Sequence, residues 1–228
     1  MVNQIGILAS HQNIVLLKEH LFIVLIYTER WIRMQLILHR VNTIKLLKDT
    51  PREFGVEIDI RSNNGNLIIH HDPFTKGQNL EEWLSIFQHE TLILNVKEEG
   101  LEESILKLME EYNINDFFFL DQSFPFLKKI SSMGEKRCAV RVSEFEDIKT
   151  ALSLSGRVNW VWVDCFNLFP LNKEEATQLK NAGFKLCFVS PELQGRNNQS
   201  QIIEFRRNIE SLGIIGDAVC TKYPDLWR

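Results

Sequence analysis

Eight short apolar runs, separated by segments whose apolar residues recur at helical spacing, constrain this chain more than any other feature. The runs lie at 34–39 (MQLILH), 55–60, 91–97 (TLILNVK), 115–121 (NDFFFLD), 137–142 (RCAVRV), 158–164 (VNWVWVD), 184–190 (FKLCFVS) and 216–221 (GDAVCT). Between them the spacing predicts helices over 43–53, 79–88, 98–112, 124–133, 143–154, 172–182 and 200–212. Ser143 and Asn172, each followed by glutamates, read as amino-terminal caps, and Gly183 and Gly213 close two of the helices. The runs show little polar–apolar alternation, as strands buried on both faces of a parallel sheet require. Strict alternation over eight units predicts an α/β fold, a single small (β/α)8 TIM barrel over 34–228. With 228 residues, 44% of them apolar, the chain has material for one large core and not for two comfortable domains.

Residues 1–33 stand outside the pattern and are expected to form an N-terminal extension, either helical against the barrel's base or poorly packed. Met34, directly before QLILHR, is an alternative start. The longest uncharged apolar run there, 21–27, is far short of a membrane span, and the first residues carry no basic cluster of the signal-peptide kind.

A barrel of this kind carries its chemistry at the carboxyl ends of its strands. Here nearly every strand ends in a reactive group: His39, then Glu57 and Asp59, then Asn95 and Lys97, then Asp121, Arg141 and Asp164, with Glu192 following the seventh run. Glu57 and Asp59 lie two apart, so both project to one face while Val56, Ile58 and Ile60 take the other. Two like charges on one strand face are costly without a cation, and a divalent ion with oxygen ligands, Mg2+ or Ca2+, is the simplest compensation. His71 arrives on a second short apolar run, 67–69, beyond an Asn-Asn-Gly turn. His70 should point away from it. Taken singly, each of these residues also fits a solvated strand end or a helix cap, Asp121 and Asp164 above all. Taken together, a ring of acids, bases and histidines suits a metal-assisted reaction on a phosphate.

The order LILHR, NT, VEIDI, IIHHDP, LNVK and GDAVCTKYPDLW, covering residue 34 onward, resembles the glycerophosphodiester phosphodiesterase family of phosphatidylinositol-phosphodiesterase-like barrels. The resemblance implies that His39 and His71 are the acid–base couple and that Glu57 and Asp59 bind the metal. TKYPD at 221–225 matches the family's closing TDYPD signature. Three departures stand out. Val41 replaces the glycine after the His39–Arg40 pair, and the loop to Asn42 and Thr43 is shortened. Asn95 stands where the family carries a glutamate metal ligand, with Lys97 retained. Only 73–90 fills the place of the family's small cap. An asparagine carbonyl still ligates a hard cation but contributes no charge.

The implied reaction is hydrolysis of a glycerophosphodiester-like or lipid-derived small diester. Glu57, Asp59 and Asn95 would hold the cation, Arg40, Lys97 and Arg141 the phosphate, His39 would act as base and His71 as acid. Asp121, Asp164 and Glu192 are further candidates, Asp121 or Asp164 for the charge missing at Asn95. Two other classes stay open: a barrel that kept the phosphate pocket but lost turnover, and a lyase or aldolase using Lys97. A net charge of −4 argues against a general grip on nucleic acid. Cys138, Cys165, Cys187 and Cys220 lack CxxC spacing and read as buried free thiols of a cytoplasmic protein. Trp160, Trp162 and the 117–119 phenylalanines read as core, whereas Phe166, Phe169, Pro191 and Leu193 are expected at the pocket mouth.

Overall fold

Each of the eight apolar runs becomes a parallel strand, because a run of branched and aromatic side chains can be covered on both faces only between helices and a barrel interior. A computed structural model describes residues 34–228; the expectations for 1–33 lie outside the described residues. The barrel strands are β1 (Gln35–Leu38), β2 (Gly55–Asn63), β5 (Leu92–Val96), β6 (Phe117–Leu120), β7 (Ala139–Val142), β8 (Trp160–Val163), β9 (Lys185–Val189) and β10 (Ala218–Thr221). The last pairs with the first, so the ring closes. One circuit of the pairings slips the register by eight residues, the stagger of an eight-stranded TIM barrel.

Between β2 and β5 the chain makes an antiparallel excursion. β2 runs on past Ile60, turns at Asn64 and Gly65, both left-handed, and returns as β3 (Asn66–Ile69), against which β4 (Gln78–Asn79) pairs. This return places His70 beside Asp59, whose carbonyl accepts the His70 N–H at 2.9 Å.

Among the described residues seven α-helices follow the strands: α1 (Ile44–Asp49), α2 (Leu80–Leu84), α3 (Glu102–Glu111), α4 (Phe124–Ser132), α5 (Ile148–Leu152), α6 (Lys173–Asn181) and α7 (Gln199–Ser211). Asn172 makes the full capping box with Glu175 on α6, and Gly183 and Gly213, with φ of 91° and 65°, end α6 and α7 as expected. Ser143 does not cap a helix. Its hydroxyl donates to Glu146 at 2.6 Å inside a tight 143–146 turn, and Asp147 caps α5 instead. Helix α1 also stops short of its predicted end, because Pro51 disfavours helical backbone at Thr50.

Ile37, Ile93, Phe118, Leu120, Trp160, Trp162 and Cys220 are among the side chains filling the barrel interior, so the aromatic runs are core as read. Leu193 packs on this cluster and Pro191 is buried, but Phe169 is not at the mouth: it meets Phe188 and Phe205 edge-on, between β9 and α7. All four cysteines are free and buried, and burial pushes the Cys138 and Cys165 thiols up to about 12. No helix among the described residues is long and apolar enough to cross a membrane.

Candidate active site

Inward parity on β2 puts Gly55, Glu57 and Asp59 on the barrel's inner face, level with Ile93 and Asn95 of β5. Glu57 and Asp59 are both fully buried. Glu57 accepts from the Asn95 amide at 2.8 Å through one oxygen and from the Arg40 backbone N–H at 2.7 Å through the other. Burial and the neighbouring Asp59 still push its carboxyl up to about 7.

Asp59 is gripped by Asn42, whose amide donates to Oδ2 at 2.8 Å and whose carbonyl accepts the Asp59 N–H at 3.0 Å. Lys97 Nζ lies 3.3 Å from Asp59 Oδ1, an ion pair outside hydrogen-bonding geometry, and this buried oxygen has no hydrogen-bond donor. Asn95 Oδ1 is buried and without a donor as well. Two acceptors lacking donors beside a raised carboxylate leave the cluster short of positive charge.

From Asp59 a chain of opposite charges runs round the mouth. Arg40 Nε is 3.5 Å from Asp59; Lys97 is shared between Asp59 and Asp121, the latter at 3.2 Å. Arg141 binds Asp121 and lies 3.3 Å from Asp164. Burial opposes ionisation of Asp121, yet Arg141 and Lys97 hold its carboxyl below the usual range. Asp164 goes the other way: burial outweighs Arg141, and its carboxyl is raised although Gln194 donates to it at 2.7 Å. Arg40 and Asp121 both sit in left-handed backbone, with φ of 56° and 59°, unusual for residues other than glycine.

The two histidines are placed differently. His39 continues the inward face of β1, and its Nε2 is 3.8 Å from Glu57 while its buried Nδ1 has no partner. Burial, then the nearby Arg40, take its pKa down to about 3, so the ring is neutral. His71 stands on the return of the β2–β3 hairpin with 42% of its side chain exposed, and its Nδ1 meets Asp72 at 2.8 Å. That bond, with the charge on His71, holds the Asp72 carboxyl low. His70 turns to Thr75 and the Asp72 backbone instead.

The structure therefore brings together His39, Arg40, Glu57, Asp59, Asn95, Lys97, Asp121, Arg141 and Asp164, with His71 on the flanking hairpin. Glu192 is different. It is buried in a 3-10 turn, Pro191–Gln194, and accepts from Ser190, from Thr221 Oγ1 at 2.6 Å and from the Lys222 N–H at 2.8 Å, so it fastens the TKYPD turn to the end of β9. The residue that sequence reading undervalued is Asn42. An Asn-Thr pair before a helix offers two caps, and Thr43 takes that role on α1, which frees Asn42 for Asp59.

No group of three or more His, Cys, Asp or Glu with metal-holding geometry occurs among the described residues. Glu57, Asp59 and Asn95 nevertheless fit a hard divalent ion, because all three present oxygen and two of those oxygens have no hydrogen-bond donor.

No protein-family model matches the sequence, and neither does any curated protein. Among solved structures, the fold is similar to that of a glycerophosphodiester phosphodiesterase from Agrobacterium tumefaciens str. C58, with 12% identity, a TM-score of 0.58 and coverage of 85% of this chain and 98% of that one. A glycerophosphoryl diester phosphodiesterase from Parabacteroides distasonis ATCC 8503 is similar at 16% identity and TM-score 0.58, over 86% and 85% of the two chains. A mutant tryptophan synthase alpha-subunit from Pyrococcus furiosus shares the barrel at 9% identity and TM-score 0.55, over 85% and 89%. These likenesses establish a TIM-barrel fold of the kind seen in glycerophosphodiester phosphodiesterases.

Proposed function

We propose that this chain is a divalent-metal-dependent phosphodiesterase acting on a glycerophosphodiester-like or lipid-derived small diester. The observation that carries the reading is the fully buried Glu57–Asp59 pair, flanked by acceptor oxygens without donors and bordered by Lys97 and Arg141. A structural role alone gives no reason to bury two carboxylates so incompletely matched. Glu57, Asp59 and Asn95 would hold Mg2+ or Ca2+. Such an ion, when bound, stabilises the negative charge that spreads over phosphate oxygens during displacement.

The chain's own residues do the remaining work. Lys97 and Arg141 bind the non-bridging oxygens, Arg141 as a two-pronged clamp, and Arg40 adds a third positive charge at the mouth. His39 Nε2, the ring nitrogen facing Glu57, takes a proton from the attacking water or hydroxyl. His71 holds Nδ1 on Asp72, which orients the ring and leaves Nε2 to protonate the departing alcohol. A Schiff-base role for Lys97 is less well supported, since its ammonium is shared between two carboxylates, unlike the apolar or cationic settings that activate an amine. Four buried unpaired thiols support a reducing, cytoplasmic setting.

The test is hydrolysis of a phosphodiester panel with Mg2+, Ca2+ or Mn2+ against chelator, with His39→Ala as control. Turnover abolished by chelator and by the substitution is expected. Phosphate binding without turnover of any diester would replace the enzyme by a binding module, with Asn95 as the reason.

A further inference from the structure

The barrel wall has one weak seam. β6 and β7 meet only at a bridge between Phe119 and Cys138, whereas every other neighbouring pair of barrel strands shares at least two paired positions. Beyond the bridge the two strands part, and a cavity of about 490 Å³ opens between them. Its inner end is formed by Asp121 and Arg141, and its outer walls by Phe124 and Leu127 of α4 and by Phe145 of the 143–146 turn. The volume lies within the range of about 300–1,000 Å³ typical of small-molecule sites.

Most polar groups around this cavity are occupied, the Gln122 side-chain oxygen being buried without a partner. Glu146 accepts from Ser143, Asp147 caps α5 at the Lys149 N–H, and the Gln122 amide donates to Glu102 at 2.9 Å. The aromatic rings are open: Phe124 is 49% exposed and Phe145 77%, the latter tilted against Phe166 at 5.8 Å between ring centres. Beside the Gln122 oxygen, the groove offers a ligand the open faces of these two rings, next to Arg141, the proposed phosphate clamp.

We infer that this groove takes an alkyl or acyl chain carried by one alcohol of the phosphodiester, so that the substrate class is a diester with an apolar arm. The inference rests on the phosphodiesterase reading for the position of the phosphate. Each methylene moved from water into the groove should raise kcat/KM roughly fourfold, from the usual transfer free energy of a buried methylene.

The experiment uses diesters of glycerol phosphate with ethanol, butanol and octanol under Mg2+, together with calorimetric titration of ethyl phosphate and octyl phosphate. Expected is a gain of at least tenfold, on the order of two buried methylenes, from ethyl to octyl in both measurements. Phe145→Ser and, separately, Phe124→Ser should flatten that slope, whereas Phe74→Ser, at an exposed aromatic away from the groove, should keep it. Turnover with no dependence on chain length overturns the groove and leaves the phosphodiesterase reading standing. No turnover, with octyl phosphate still binding more tightly in a Phe145-dependent way, supports the groove and overturns the hydrolase. A slope equal in wild type and both groove variants also overturns it.

Discussion

Asn95→Asp is the sharpest perturbation available, because it changes one atom in a buried cluster without changing its size. The Asn95 amide donates to Glu57 at 2.8 Å, with both residues buried. A carboxylate in its place cannot donate, and facing Glu57 and Asp59 it adds a third like charge. The pair keeps a hydrogen bond only while one of its two carboxyls holds a proton. For a carboxyl of ordinary pKa near 3.9, holding a proton at pH 7 costs about 4 kcal/mol, at 1.36 kcal/mol per unit. The sign follows from linkage: its folded pKa lies above its unfolded one, so the contribution is intact below about pH 4 and is lost as pH rises towards the folded value. Melting of the metal-free variant in chelator should therefore match wild type within about 1 kcal/mol at pH 4. At pH 7 it should fall short by roughly 8–16 °C, taking about 2–4 °C per kcal/mol for a domain of this size. Saturating Mg2+ or Ca2+ should close that gap, since three carboxylates bind a hard cation better than two. Equal melting in chelator at pH 7 would refute the Asn95–Glu57 bond. A deficit that no divalent ion repairs would refute the cation site.

Four further outcomes are expected. Asn42→Ala removes both bonds to Asp59 and should cost about 2–3 kcal/mol while weakening divalent affinity about 10- to 100-fold by calorimetry. His39, neutral with a pKa near 3 against 6.5 unfolded, contributes stability that is whole above pH 6.5 and lost as pH falls towards 3, up to about 5 kcal/mol; in metal-free protein His39→Gln should flatten that acid limb in denaturant titrations. Asp121→Asn releases Lys97 and Arg141 for an external anion and should tighten inorganic phosphate by roughly fivefold, a weakened affinity being the contrary result. Glu192→Ala strips the acceptor from Ser190, Thr221 and the Lys222 N–H and should lower stability by about 3–5 kcal/mol with divalent affinity unchanged.

The barrel was legible because strands covered on both faces leave uninterrupted apolar runs, and all eight runs found their strands. Residues on the inner face followed from parity: Glu57 with Asp59, and Asn95 with Lys97, share their face as period two requires. What stayed hidden depends on neighbours distant in sequence. Ser143 and Asp147 are both good caps in isolation, and the Ser143–Glu146 turn decides between them. Phe169 is as apolar as any mouth residue, and only the placement of α7 draws it under Phe205. Glu192 reads as one more strand-end acid until the TKYPD turn is seen folding onto it.

Local departures from good geometry and full pairing gather at one end of this barrel. Five residues other than glycine adopt left-handed backbone among those described, and two, Asn64 and Asn113, are asparagines, which tolerate it. Of the other three, Arg40 and Asp121 stand at strand ends in the charge chain, and Phe74 lies just past the His71 hairpin. Such conformations cost on the order of 1–3 kcal/mol each and persist where the surroundings impose them. The Arg40 turn aims its N–H at Glu57 and sets its guanidinium beside Asp59; the Asp121 turn sets its carboxylate between Lys97 and Arg141. Glu57, raised to about 7, and the donorless oxygens of Asp59 and Asn95 add to the same account. An apolar plug would make a more stable barrel than this cluster does. Stability given up at one mouth, while the interior and helices follow local preference, is what the proposed function asks of that mouth.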